Sequence, residues 1–338
     1  MTRLMSAHCV VTGGAGFIGS HLVERLLGDG HHVAVIDDFS TGRPENLASC
    51  QGHPSLAVHK VDVTDAAEVA RRIEGADWVF HLAALADIVP SIQRPIDYHR
   101  SNVDGTVSVL EASRAAGVTR FVYAASSSCY GIPDRYPTPE DAELRPEYPY
   151  ALTKAVGEQY VLHWAKIYGL PAMSLRFFNV YGPRARTSGT YGAVFGVFLA
   201  QKLAGRPFTV VGDGEQTRDF TYVTDVVDAC VCAAESDVSG VVFNVGSGRA
   251  TSVNRIVELL GNDAGVVNLP RRPGEPDCTL ADTSRIRGEL GWEPRVTVEQ
   301  GVANLLETID AWRDAPVWDP QAIEAATADW FRYLSPRA

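Results

Sequence analysis

The chain has 338 residues, 46% of them hydrophobic, a length that suggests two lobes and a composition that excludes disordered and fibrous proteins. Thirty Lys plus Arg against 41 Asp plus Glu leave a net charge of -11, which argues against a nucleic-acid partner, so an anionic ligand has to meet locally clustered cations. No apolar run approaches the roughly 18 residues that span a bilayer, the start lacks a signal-peptide core, and six Cys without a CxxC pair read as reduced thiols, so a cytoplasmic protein with no membrane contact is expected.

In chain order, short β-branched runs at 8–12, 32–36, 57–61, 78–82 and 120–124 alternate with helical patterns such as Ile18, Leu22, Leu26 and Val103, Val107, Leu110. Right-handed crossovers between them give an α/β fold with a doubly wound parallel sheet. A long helix follows at 150–168, stopped by Gly169 and Pro171, and then a strand at 172–178. Gly and Pro punctuate 182–207 and 270–276, which predicts a smaller lobe built from non-contiguous pieces. The tail carries Trp312, Trp318 and Trp330, which read as a docked helix or an oligomer contact, with a packing role expected.

The first strand runs into Thr12-Gly13-Gly14-Ala15-Gly16-Phe17-Ile18-Gly19. Glycines between a strand and a helix permit a tight turn and let backbone N–H groups approach a pyrophosphate at the helix N-terminus. The second strand ends in Asp37-Asp38, where a carboxylate accepts bonds from ribose hydroxyls and repels a 2′-phosphate, which favours NAD over NADP. Asp62 after the third strand and the small Ala83 and Ala84 after the fourth fall where adenine and its ribose would lie, positions that ordinary turn and packing residues also occupy.

Tyr150 and Lys154 stand four apart on one helical face. With 12 Tyr and four Lys, chance gives about 0.14 such pairs in a chain of this length. An ammonium beside a phenol favours the phenolate, so Lys154 is expected to depress the Tyr150 pKa. The fifth strand leads to Ser126-Ser127-Ser128-Cys129-Tyr130-Gly131, where a hydroxyl could donate to a substrate oxygen. Cys129 and His81 lack evident partners for nucleophile or base chemistry and read as structural.

Taken together, TGGAGFIGS, HLAA at 81–84, SNVDGT at 101–106, SSSCYG, YALTK, LRFFNVYGP at 175–183, GDGEQTRDFTYVTD at 212–225 and RRPGEPD at 271–277 resemble the extended short-chain dehydrogenase/reductase family, and within it the nucleotide-sugar 4-epimerases, over about residues 8 to 310. The resemblance implies an NAD-binding Rossmann domain over 1–178, including the Tyr/Lys helix, and a mainly nucleotide-sugar-binding lobe over 179–338, with interleaved boundaries. It implies NAD contacts from Gly13, Gly16, Phe17, Ile18, Gly19, Asp37, Asp38, Asp62, Val63, Ala83, Ala84, Asn102 and Lys154. It makes Ser126 the hydroxyl donor, Tyr150 the base and Lys154 its partner, and turns Ser127 and Ser128 toward the sugar or the nicotinamide. Asn179, Arg218 and Arg272 match residues that hold a nucleotide diphosphate, which suits guanidinium forks; ion pairing of Arg218 with Asp213 or Asp219 is the structural alternative.

The implied reaction inverts C4 of a UDP-hexose through a transient 4-keto sugar, with NAD carried by the protein and a homodimer as the assembly. The rival nucleotide-sugar 4,6-dehydratases place two carboxylates after the hydroxyl residue, where this chain has Ser127 and Ser128; a non-catalytic dinucleotide sensor would not need Tyr150 and Lys154. Thr279, three before Asp282, leaves room for an N-acetyl group. Arg184 and Arg186 resemble positions that hold a uronate carboxylate, although uronate enzymes tend to carry Thr in place of Asn179. UDP-glucose or galactose, UDP-N-acetylglucosamine and UDP-glucuronate all stay open, as does inversion at C2 or C3.

Overall fold

The computed structural model describes residues 6–185, 194–261 and 263–335. Strand β1 (His8–Thr12) leads into helix α1 (Phe17–Gly28) and β2 (His32–Asp37). After β3 (Leu56–Lys60) come α2 (Ala66–Ile73), β4 (Trp78–His81), the short α3 (Ile88–Gln93) and α4 (Pro95–His99), and α5 (Gly105–Ala116). Then β5 (Arg120–Ser126), α6 (Pro149–Tyr168) and β6 (Ala172–Phe177) complete the first half. The rest holds β7 (Asn179–Tyr181), α7 (Val194–Leu203), β8 (Phe208–Val211), β9 (Thr217–Tyr222), α8 (Val223–Glu235), β10 (Val241–Val245), β11 (Ala250–Ser252), α9 (Val253–Leu260), β12 (Val266–Leu269), α10 (Ser284–Leu290), α11 (Val298–Glu307) and α12 (Pro320–Leu334).

Seven parallel strands form one sheet in the order β3-β2-β1-β4-β5-β6-β10. Helices cover both faces, so the inner strands are buried on both sides and largely apolar instead of alternating; β4 and β6 are buried along their whole length. Leu22 and Leu26 of α1 and Val226 to Ala234 of α8 pack one face, and Val69 and Ile73 of α2, Val109 and Leu110 of α5 and Val161 of α6 pack the other. Strand order reverses at β1, which has β2 on one side and β4 on the other, the switch point at whose carboxyl edge doubly wound sheets bind ligands.

Two boundaries differ from the sequence reading in ways that move functional residues. Strand β5 continues past Ala124 because Ala125 and Ser126 pair with Arg176 and Phe177 of β6, so Ser126 closes a strand instead of opening a loop. The chain breaks after Phe177, and Asn179 begins β7 in a separate three-stranded sheet, β11-β9-β7. Strand β10, unread in the sequence, returns to the large sheet beside β6. Helix α6 is bounded as its sequence suggests: Pro149 opens its first turn, and Gly169 at φ +67° ends it in the left-handed region.

The tail packs onto the body. Trp312 is buried with Phe195, Phe198 and Leu305, Trp318 lies against the same cluster, and Trp330 is 6% exposed. No described helix is long and apolar enough to cross a membrane, and all six Cys are free thiols.

Candidate active site

The turn between β1 and α1 is built so tightly that only glycine fits it. A Cβ on Gly13, at φ +69°, would lie 2.7 Å from the Ala83 nitrogen, and one on Gly19 would lie 2.1 Å from the Gly13 carbonyl oxygen. Gly16 stands at the N-cap without a side-chain cap. The N–H groups of Phe17, Ile18 and Gly19 precede the first helical bond, which Ser20 N donates to Gly16 O. An uncapped helix N-terminus behind a glycine cradle suits a dinucleotide pyrophosphate.

The acids at the end of β2 divide the work. Asp37 is buried and accepts from Ala15 N at 2.9 Å and Phe39 N at 2.8 Å, so it braces the glycine turn; burial pushes its carboxyl pKa up against those bonds. Asp38 is exposed and accepts from Ser40 N and Oγ. Asp62 is exposed and caps Thr64, Val63 is buried beside it, and Ala83 and Ala84 are half-buried at the end of β4.

Asn102, for which its motif implies a cofactor contact, is tied into the protein by its side chain. It lies 1% exposed in a π-helical turn, Arg100–Asp104, between α4 and α5. Its Nδ2 donates to Leu85 O and to Thr153 Oγ1, and its Oδ1 accepts from Leu85 N. Both amide hydrogens are therefore spent on clamping the loop after β4 to α6, one residue before Lys154.

At the end of β5, Ser128 donates from N and Oγ to Ser126 Oγ, at 3.2 and 2.9 Å. That leaves the Ser126 proton for an acceptor at the strand end, and Ser126 is near enough to Tyr150 to favour its phenolate. Ser127 is half-buried in the same 3₁₀ turn. Burial, the largest influence, pushes the Tyr150 phenol up, opposed by Ser126. This corrects the expectation that Lys154 depresses it: burial pushes the Lys154 ammonium itself down to about 7, and it sits 4.6 Å above the centre of the Tyr123 ring. Tyr148, unmarked in the sequence reading, lies parallel to Tyr150 with ring centres 6.5 Å apart.

His81 is structural, as expected. Thr106 Oγ1 donates to Asn102 O, so it accepts from His81 Nε2, and His81 Nδ1 accepts from Thr12 Oγ1 at 2.7 Å. Thr12 Oγ1 in turn accepts from Ala83 N. Full burial pushes His81 down to about 3, so the ring is neutral and ties β1, β4 and α5 together beneath the cradle. Cys129 is likewise buried, its thiol pushed up to about 12.

A buried ion pair was not read from sequence, although Glu158 follows Lys154 by one more turn of the same helical face. Glu158 accepts from Arg176 Nη2 at 2.6 Å, Arg176 Nε at 3.0 Å and Ser174 Oγ at 2.8 Å. Arg176 also donates to Tyr130 Oη, which donates to Asn244 Oδ1. This network anchors α6 to β6, β10 and the serine turn.

In the three-stranded sheet, β7 and β9 pair so that Asn179 lies opposite Phe220. Thr279 Oγ1 donates to Asn179 Oδ1 at 2.8 Å and accepts from Asp219 N. Arg218 is 8% exposed and pairs with Glu275 at 2.8 Å, not with Asp213 or Asp219; Asp213 is taken by Arg271, and Asp219 accepts from Ser247, Gly248 and Ala281. Arg272 stands 4.0 Å from the same Glu275, so two guanidinium groups converge on one carboxylate. Arg184 is committed to Glu24, and Arg186 lies outside the described residues.

Residues 9–246 match the model of the NAD dependent epimerase/dehydratase family. The UDP-glucose 4-epimerase of Mycolicibacterium smegmatis is 40% identical over 304 residues, 88% of this chain and 97% of that protein. The solved UDP-N-acetylglucosamine 4-epimerase of Methanobrevibacter ruminantium superposes with a TM-score of 0.84 at 35% identity, over 90% of this chain and all of that one. The UDP-glucuronic acid 4-epimerase of Bacillus cereus, solved with UDP-glucuronic acid and NAD, gives 0.83 at 32% identity over 90% of this chain and 99% of that one. The cradle, the hydroxyls of Tyr150 and Ser126 and these matches agree, and the chain belongs to the NAD dependent epimerase/dehydratase family.

Proposed function

We propose that the protein is an NAD-dependent epimerase that inverts C4 of a UDP-hexose. The observation that carries this reading is Tyr150 beside Ser126, which closes β5 at the carboxyl edge of the sheet that also holds the glycine cradle. Gly13, Gly16, Phe17, Ile18, Gly19, Asp37, Asp38, Asp62, Val63, Ala83, Ala84 and Lys154 would hold the dinucleotide, and Asn102 would position its wall. Bound NAD supplies a hydride acceptor for the sugar C4.

The chain's own residues do the rest. Tyr150 takes the proton of the sugar 4-hydroxyl and later returns it, and Ser126 donates a hydrogen bond to that oxygen. Lys154, buried with its ammonium pushed down to about 7, stands one helical turn from Tyr150 on the same face and lines the floor of the site. Arg218, Arg272 and Asn179 hold the diphosphate while the 4-keto ring turns, presenting each face in succession. The short Thr279 side chain, tied to Asn179, leaves space near the sugar and supports acceptance of an N-acetylhexosamine. A 4,6-dehydratase needs an acid and a base beside the hydroxyl residue, where this chain offers Ser127 and Ser128.

We infer a homodimer as the working form, in the cytoplasm. The outer face of α6 supports the assembly, since it leaves Leu152, Ile167 and Tyr168 each about half exposed.

The test is incubation with a panel of UDP-sugars, with no cofactor added, followed by proton NMR. Growth of a C4 epimer to a fixed ratio is the expected result. A new C6 methyl doublet would mark a dehydratase instead, and no change with any sugar would leave a sensor.

A further inference from the structure

We propose that the C-terminal helix α12 is part of the nucleotide-sugar site, and that Trp330 is a positioning residue that sets the diphosphate-facing Arg272. The inference rests on the UDP-sugar reading above. Arg272 belongs to a Gly/Pro loop, 270–277, with no regular structure to fix its course. Helix α12 supplies the missing support. Asp319 caps its start by accepting from Ala322 N, Pro320 opens its first turn, and Asp329 accepts from Gln93 of α3 at 2.8 Å.

From that anchored helix, three contacts reach the loop. The Trp330 indole N–H donates to Pro273 O at 2.7 Å, and its ring faces the Arg272 guanidinium carbon at 5.4 Å. One turn on, the Leu334 Cβ lies 4.0 Å from where a Gly274 side chain would begin. A cation held on an aromatic face keeps its outer N–H groups directed elsewhere, here toward Glu275, which Arg218 also meets.

The same indole touches the catalytic side. Its ring lies 6.2 Å from that of Tyr148, which stacks on Tyr150. One tail residue thus joins the arginine that would hold the diphosphate to the aromatic wall beside the phenol. A Trp serving only as core would not need its polar edge and its ring face committed to consecutive residues of one loop.

Trp330→Leu keeps bulk and removes the aromatic face, and Trp330→Phe keeps the face and removes the N–H. Calorimetric titration of UDP into each holoenzyme should show about tenfold weaker binding for Leu and a return to within about threefold of the unsubstituted protein for Phe. KM for the sugar nucleotide should rise in parallel while kcat stays within about twofold. Unchanged UDP affinity in Trp330→Leu, or Phe as weak as Leu, overturns the proposal. Should Trp330→Leu fail to fold, tryptophan fluorescence decides: UDP should alter the emission of the unsubstituted protein and not that of Trp330→Phe, and equal responses overturn the role. If the unsubstituted protein takes up no UDP, the nucleotide reading falls first and the proposal with it; UDP uptake that ignores Trp330 removes the role of Trp330 alone.

Discussion

Burial raises the Tyr150 phenol and lowers the Lys154 ammonium, so each group rests closer to its uncharged form than it would in water. A base made this way needs a neighbouring hydroxyl, and Ser126 is the one the strand end provides. Tyr150→Phe should keep bound NAD and UDP affinity while losing turnover by about 10² to 10⁴, the usual worth of a positioned acid or base; near-normal epimerisation in the NMR assay would remove it from the role. Lys154 also makes a pH prediction for the protein stripped of dinucleotide. The folded state releases this proton near 7, the unfolded chain only near 10.5, so unfolding takes up a proton between those values and the group makes stability rise with pH across that window. Lys154→Met should therefore be more stable than the unsubstituted protein at pH 6.5, with an advantage that shrinks by pH 9.5; urea midpoints at both pH values check it, and a constant difference refutes it.

Helix α6 is where local sequence and distant chain meet. One face carries Tyr150, Lys154 and Glu158 at successive turns; the last is only 3% exposed and meets Arg176 of β6, itself 5% exposed. Such a pair gives little net stability when intact but costs heavily when halved, because the remaining charge stays buried. Glu158→Ala should lose about 3–5 kcal/mol in urea unfolding, and Glu158→Leu combined with Arg176→Met should lose less than either single change. The turn between β1 and α1 gives a second element-scale expectation. Gly19→Ala places a methyl group against the Gly13 carbonyl, and the cradle has to open. The purified variant should release far less NAD on acid treatment; a full complement of NAD would show that the turn does not hold it.

Across the whole molecule, an acidic chain of net charge -11 brings two of its arginines, Arg218 and Arg272, together on Glu275, a local cluster that an anion could meet. The outer face of α6 carries the opposite signal, exposed Leu152 and Ile167 on the helix whose inner face bears Tyr150. If two copies bury this face, light scattering should give twice the 36.6 kDa chain mass, and Ile167→Asp should halve it. A monomer in the unsubstituted protein at micromolar concentration would refute the dimer.

What the sequence determined by itself was everything carried by short-range periodicity and spacing. The five strands of the first 126 residues, the glycine turn, the bounds of α6 and the Tyr150–Lys154 pair are local, because strand and helix periods and the glycine requirement act within a few residues. Tertiary structure decided what depends on contacts between remote segments. The addition of β10 to the sheet, the pairing of Arg218 with Glu275, the Asn102 clamp, the Glu158–Arg176 pair and the seating of Trp330 on the Arg272 loop join segments whose separation leaves no period to read. Even the charge states of Tyr150 and Lys154 were set this way, since desolvation depends on which remote side chains exclude water.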